Sequence, residues 1–218
     1  MSKQDVEIMA DINAENDRLA EKLHQDLVKK GIFTINVIGA PGVGKTSTIT
    51  RIIQGLADIP SAVVEGDIQS DIDTQALKER GIPSVQINTG GACHIDAVLM
   101  ENTLAGFPLR ENSLLWIENI GNLVCPAEFM IGEDVKMLIC AATDGSDKPY
   151  KYPLAFEKAA VILINKADLL PHVDFDLEYF TRGIRALNAA APIIPVSAKT
   201  GEGISEVCEW IGQRRSSR

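Results

Sequence analysis

Gly39, Gly44, Lys45 and Thr46 occupy the defined places of the pattern G-x-x-x-x-G-K-[ST] within Gly39-Ala-Pro-Gly-Val-Gly-Lys-Thr-Ser47, a spacing that suits phosphate. Glycines at 39, 42 and 44 let successive N–H groups of the loop, Val43 and Ser47 included, turn inward as a concave anion site. Lys45 would bridge the outer phosphates, and the Thr46 hydroxyl would ligate a Mg²⁺ that neutralises charge between them. The chemistry predicted is that of a nucleoside triphosphate site.

Two further stretches bear on the base. Asn165-Lys-Ala-Asp168 and Ser197-Ala-Lys199 each follow an apolar run. A carboxylate at Asp168 can accept from both N1–H and the exocyclic amine of guanine, a paired contact that adenine does not offer. The Lys166 stem can cover the base face, Asn165 can tie the loop to neighbouring strands, and the Ala198 backbone can meet the guanine carbonyl. The expected ligands are therefore GTP and GDP, with discrimination arising because the wrong base would leave Asp168 unpaired.

On the phosphate side stands Glu118-Asn-Ile-Gly121. Its carboxylate can hold Mg²⁺ through water, and Gly121 can offer a backbone N–H to the γ-phosphate. Asp67 is the other candidate metal-side carboxylate, with a simple turn or capping role as its alternative. The residues expected to act in phosphoryl transfer are Lys45, Thr46, Asp67 and Glu118, and Asp71 is the choice for orienting the attacking water.

Of four cysteines, Cys140 and Cys208 lie in apolar patterns and read as core. Cys93 and His94 follow two glycines at an expected helix start, where a helix dipole would lower a thiol pKa, and Cys125 precedes Pro126 in the loop that begins at Glu118. Two thiolates and an imidazole suit Zn²⁺, Ni²⁺ or Cu⁺ and leave a position open to water, a substrate or a second subunit. Unrelated buried cysteines are the alternative. If the metal reading holds, one loop both senses the γ-phosphate and carries a sulfur, so a metal would be gripped or released with nucleotide state.

These residues must be positioned by a scaffold, and the chain supplies one. Apolar runs at 32–38, 61–67, 83–88, 113–119, 135–141, 160–165 and 192–196 predict strands. Helical patterns over 46–56, 73–80, 95–105, 175–188 and 203–212 alternate with them. That alternation predicts an α/β P-loop NTPase fold: three layers, a mostly parallel sheet with helices on both faces, and ligands at the carboxyl ends of the strands. Ahead of it Met9, Ile12, Leu19, Leu23 and Leu27, interrupted by Asn16, mark an amphipathic helix capped by Gly31. The expected division is residues 1–31 as this helix, packed on a GTPase domain of residues 32–218.

A length of 218 residues suits one such domain. A net charge of −9 argues against a nucleic-acid partner. With no secretory signal and no membrane-length apolar run, a cytosolic location is expected, where cysteines stay reduced.

Taken together, the loop at 39–46, Glu65-Gly-Asp67, Gly91-Ala-Cys-His94, Glu118 to Pro126, Lys148-Pro-Tyr-Lys-Tyr-Pro153 and Asn165 to Asp168 resemble the HypB family, GTPase accessory proteins that help deliver nickel to [NiFe]-hydrogenase. The resemblance implies that Cys93, His94 and Cys125 bind Ni²⁺ or Zn²⁺ at an interface between two subunits and that GTP favours the homodimer. It implies a nickel-binding HypA-like accessory protein and the hydrogenase large subunit as partners. It also implies a lysine that reaches the partner subunit's nucleotide, for which Lys148 is chosen ahead of Lys151. Some relatives carry a histidine-rich tract or a cysteine motif near the N-terminus; here that stretch has His24 alone and no cysteine, so nickel storage is not expected. The rival readings are a small-molecule kinase on the same loop, a GTPase chaperone for a cobalamin enzyme, and a regulatory GTPase without metal.

Overall fold

β1 (Phe33–Ile38) sets the plan, because both of its faces are buried and they differ in kind. Phe33, Ile35 and Val37 point one way into a purely apolar cluster, while Thr34 and Asn36 point the other way. A strand buried on both faces belongs in the middle of a parallel sheet covered by helices.

The computed structural model describes the backbone of residues 3–67 and 72–218 and the side chains of 13–66 and 74–218. After α1 (Lys3–Lys29) and β1 come α2 (Lys45–Gly55), β2 (Ser61–Asp67), α3 (Ile72–Glu79), β3 (Ser84–Asn88) and α4 (Ala97–Ala105). β4 (Leu114–Glu118), α5 (Cys125–Glu128), β5 (Val135–Ala141), α6 (Lys148–Lys151) and α7 (Pro153–Lys158) follow. The chain ends with β6 (Val161–Asn165), a 3₁₀ turn (Ala167–His172), α8 (Leu177–Leu187), β7 (Ile193–Pro195) and α9 (Ile204–Ser216). The seven strands form one sheet in the order β3-β2-β4-β1-β5-β6-β7, every neighbouring pair parallel. This is the expected three-layer fold, with the sheet wholly parallel.

On one face, Ile49 and Ile52 of α2, Leu77 of α3 and Val207 and Ile211 of α9 pack over the odd residues of β1. The opposite face carries two separate clusters. Ala20, Leu23 and Leu27 of α1 join Met100 of α4 over β2 and β4, and Phe156 of α7 joins Phe180 and Ile184 of α8 over β5 and β6. Between the two clusters runs β1, whose side chains on that face include Thr34 and Asn36, so a polar seam divides the layer.

Local chemistry sets the helix ends. Asp96 accepts from Leu99 N at 2.8 Å and caps α4, and Asp176 accepts from Tyr179 N at 2.8 Å and caps α8, each worth about 1 kcal/mol. α1 stops where Gly31 takes φ +68°, and Ile32 N then bonds Leu27 O at 3.0 Å. In the stripe expected on this helix Leu23 and Leu27 are buried and Leu19 packs beside them, while the side chains of Met9 and Ile12 lie outside the described residues. Among the described residues no helix is long and apolar enough to cross a membrane.

Four short elements go beyond the expected pattern: α5, α6, α7 and the 3₁₀ turn. α5, α6 and α7 each carry a proline in the first turn, where it is tolerated because its N–H would be unpaired in any case. They are too short for apolar periodicity to register.

Candidate functional site

The loop between β1 and α2 has its shape because Gly42 and Gly44 sit at φ +76° and +89°, where side chains are strained. Crowding adds a second reason: a Cβ on Gly39 would lie 2.5 Å from the Ile139 carbonyl oxygen, and one on Gly44 would lie 2.5 Å from Asn165 Nδ2. The loop borders a cavity of about 460 Å³, whose wall includes Gly42, Gly44, Lys45, Thr46, Ser47, Glu65, Glu118 and Gly121. Lys45 is buried there, its amine 3.4 Å from the carbonyls of both Gly39 and Ala40. Thr46 Oγ1 donates to Glu118 Oε1 at 3.0 Å. A hydroxyl and a carboxylate side by side on a cavity wall are ligands of the kind a hard divalent cation takes, so the residues present fit Mg²⁺.

Asp67 closes β2, but its side chain lies outside the described residues, as does all of Asp71. Glu65, two residues earlier, is buried, accepts from Thr74 Oγ1 and sits opposite Glu118 in the register of β2 and β4. The sequence reading assigned it no role beyond its place in Glu65-Gly-Asp67; a second acid in the strand 61–67, two residues before Asp67, was the available signal.

A second cavity of about 360 Å³ adjoins the first at Gly44 and Ser47 and is lined by Lys166, Asp168, Ser197, Ala198 and Lys199. Ser197 Oγ donates to Asp168 Oδ1 at 2.7 Å and receives Thr200 N at 3.1 Å, which fixes the carboxylate. Asn165 joins three segments: its Nδ2 donates to Val43 O at 2.7 Å and its Oδ1 accepts from Ala198 N at 3.1 Å. The Ala198 N–H expected to face a guanine carbonyl is thus engaged by Asn165, and a base would share it. Lys166, at φ +60°, extends its amine to Gly42 O at 2.8 Å. Arg51 of α2, which the sequence did not single out, donates to Ala198 O at 2.8 Å and Lys199 O at 3.1 Å.

Gly121 lies against the phosphate loop, where a Cβ on it would come 2.8 Å from Pro41 Cγ. Lys148 lines a small recess with Pro41, Gly121 and Tyr152, its amine 5.6 Å from the Tyr152 ring centre. Lys151 instead pairs with Asp147 on its own short helix.

Beyond Gly121 the loop reaches the sulfur ligands. Among the described residues, Cys93, His94 and Cys125 form one group whose potential ligand atoms all lie within 4.8 Å of one another. Cys93 Sγ is 2.9 Å from Cys125 Sγ and 3.5 Å from His94 Nδ1, and the His94 ring stacks on Phe129 with centroids 4.1 Å apart. Cys93 is exposed and the other two are half-buried, so a ligand or a second chain can approach.

The thiol expectation needs correction. α4 begins at Ala97 behind its cap Asp96, four residues past Cys93, and the neighbouring Cys125 thiol pushes the Cys93 pKa up. The glycines at 90 and 91 shape a turn and not a helix start, so Cys93 does not stand in the first turn of α4. Burial moves the His94 imidazole the other way, favouring its neutral form. Cys140 is fully buried, as expected, and its thiol is driven far up by burial. Cys208 is only half-buried, packed beside Gly55.

Asn16, noted in the sequence as a break in an apolar stripe, is buried here. Its amide donates to Met130 O at 2.9 Å and its carbonyl accepts from Ala97 N at 3.0 Å. One side chain of α1 therefore spans the segment after His94 and the segment after Cys125.

The chain as a whole is similar to known proteins. The family description CobW/HypB/UreG, nucleotide-binding domain, matches residues 33–195. The hydrogenase maturation factor HypB of Azotobacter vinelandii is 45% identical over 212 residues, 97% of this chain and 70% of the relative. HypB of Escherichia coli strain K12 is 39% identical over 211 residues, 96% of this chain and 73% of the relative. The crystal structure of HypB from Helicobacter pylori in complex with nickel has a TM-score of 0.88 at 30% identity, covering 93% of this chain and 96% of that one.

Proposed function

Because the chain belongs to the CobW/HypB/UreG nucleotide-binding family, and within it to the HypB hydrogenase maturation factors, we propose that it is a GTP-hydrolysing metallochaperone. Its cargo is Ni²⁺, with Zn²⁺ competing for the same ligands, and nucleotide state governs dimerisation and handover. The carrying observation is the placement of Cys125 four residues past Gly121, on one loop that leaves Glu118 beside the phosphate cavity and arrives within 4.8 Å of Cys93 and His94.

The base cavity reads guanine through Asp168, held by Ser197, with Asn165, Lys166, Ala198 and Lys199 around it. The N–H groups from Gly39 to Ser47 receive the phosphates, and Lys45 turns from the loop carbonyls to the outer phosphate oxygens as charge develops there. Thr46 and Glu118, with Asp67, would hold Mg²⁺, which supplies charge neutralisation between the phosphates when bound. Gly121 donates its N–H to the γ-phosphate and draws its loop toward the nucleotide; hydrolysis releases it. Two soft sulfurs and a neutral imidazole bind the cargo, and the incomplete shell leaves room for ligands from a second copy or a receiver. Lys148, beside Gly121, acts on the nucleotide across the dimer, and Lys151 stays with Asp147. The N-terminal segment of residues 1–31, which carries α1, braces the domain formed by 32–218.

Under this reading the protein works in the cytosol with a nickel-donating HypA-like partner and the hydrogenase large subunit as receiver. Titrating Ni²⁺ and Zn²⁺ into the protein with GDP or with a non-hydrolysable GTP analogue, while following mass by light scattering, tests it. The expected result is a dimer with the analogue and a metal affinity that differs between nucleotides. Equal affinity in both states would leave an ordinary guanine-nucleotide hydrolase.

A further inference from the structure

Between the phosphate cavity and the sulfur cluster lie two asparagines, Asn119 and Asn122, that flank Ile120 and Gly121. Asn119 is 1% exposed. Its Oδ1 accepts from Ile120 N at 3.0 Å, on its own loop, and from Ile95 N at 3.2 Å, the amide immediately after His94. Asn122 pairs by backbone with Gly39 of the phosphate loop, and its Nδ2 donates to Cys93 O at 3.2 Å. The peptide that carries both Cys93 and His94 is therefore held at each end, from one side of Gly121 and from the other.

The grip extends to the third ligand. Asn119 Nδ2 donates to Asn36 Oδ1 at 3.2 Å, and Asn36 Nδ2 donates to Glu133 Oε1 at 3.2 Å. Glu133 also receives Lys136, whose amine reaches Phe129 O at 2.6 Å and Pro126 O at 3.4 Å. Those carbonyls belong to the segment that starts at Cys125, and the Phe129 ring stacks on His94. Asn36, Glu133 and Lys136 are all buried, in the polar seam between the two apolar clusters. Closed chains of buried hydrogen bonds are stiff, because leaving any member unpaired is costly. Such a network would carry movement at Gly121 to all three ligands.

We propose that Asn119 and Asn122 are positioning residues that transmit the state of the γ-phosphate loop to the Cys93, His94 and Cys125 cluster. The proposal rests on the nucleotide-coupled metal binding put forward above and names its carriers. A purely structural role would weaken metal binding equally in both nucleotide states. A transmitting role changes the ratio of the two affinities.

The test is the ratio of Ni²⁺ dissociation constants in saturating GDP and in saturating non-hydrolysable GTP analogue, measured by competition with a chromophoric chelator. In the unsubstituted protein the ratio is expected to differ from one by about fivefold or more, the ordinary size of coupling between two sites. Asn119→Ala should bring it to within about twofold of one. Asn122→Asp keeps the acceptor that receives Val124 N at 2.9 Å and loses the donor to Cys93 O, and should lower the ratio at least halfway on a logarithmic scale. Asn122 is half-exposed, so its variant decides the matter if Asn119→Ala does not fold. Variants that lose affinity in both states but keep the full ratio overturn the assignment and leave the coupling intact. A ratio of one in the unsubstituted protein overturns the coupling itself.

Discussion

At the two cavities the lining groups hang from the ends of β1, β4, β6 and β7, whereas Cys93 and His94 stand on the segment after β3 and Cys125 opens the short α5, with Cys93 exposed. The first region is held by ties among its own residues. Glycines have no room for a side chain, Asn165 spans two loops, and Ser197 fixes Asp168. The second is held from outside, by Asn16, Asn119, Asn122 and Lys136, none of which is itself one of the three. A site built on strand ends is shaped before its ligand arrives. One slung between connecting segments takes its shape from whatever moves them.

That contrast can be broken from either side. Lys45→Ala should cut kcat/KM for GTP by about 10²- to 10³-fold while leaving the nucleotide-free Ni²⁺ affinity within about twofold; loss of both would mean that the regions are one cooperative unit. Cys125→Ala should do the reverse, weakening Ni²⁺ by on the order of 100-fold, since even outer-shell partners of a metal cost 10- to 100-fold, with GTP affinity in the metal-free protein unmoved. Asp168→Asn should weaken GTP by about 10- to 100-fold, as expected for lost charged hydrogen bonds, and recover binding with xanthosine triphosphate, whose C2 carbonyl accepts from an amide. Equal binding of GTP and ATP by the unsubstituted protein would remove the role of Asp168.

The smallest effect sharpens the comparison most. Asn16→Ala leaves Ala97 N–H and Met130 C=O without their partner and should lower stability by about 1–3 kcal/mol in urea unfolding. Because it joins the two ligand-bearing segments, it should also weaken Ni²⁺ by less than tenfold and leave GTP untouched. An equal loss for GTP would mean that α1 props the whole domain.

The nucleotide half was legible in the chain because its chemistry is local: Gly39 to Thr46, Asn165 to Asp168 and Ser197 to Lys199 each contain their own geometry within a few residues. The seven strands were legible for the same reason, as continuous apolar runs. Arg51 and Asn16 were not, since each matters only through partners far away in sequence. The cysteine group lies between these cases. Its residue types suggested a metal, but only the fold brings Cys125 to Cys93 across 32 residues. The short helices α5 and α6 escaped because a single turn behind a proline has no period to detect.

Lys166 and Asn165 hold the carbonyls of Gly42 and Val43 with their side-chain nitrogens. The strip proposed to read the base thereby grasps the back of the strip proposed to hold the phosphates. Guanosine, bearing no phosphate at all, should already slow solvent exchange of the amides from Gly42 to Gly44. Inorganic triphosphate should in turn quiet the backbone around Ala167.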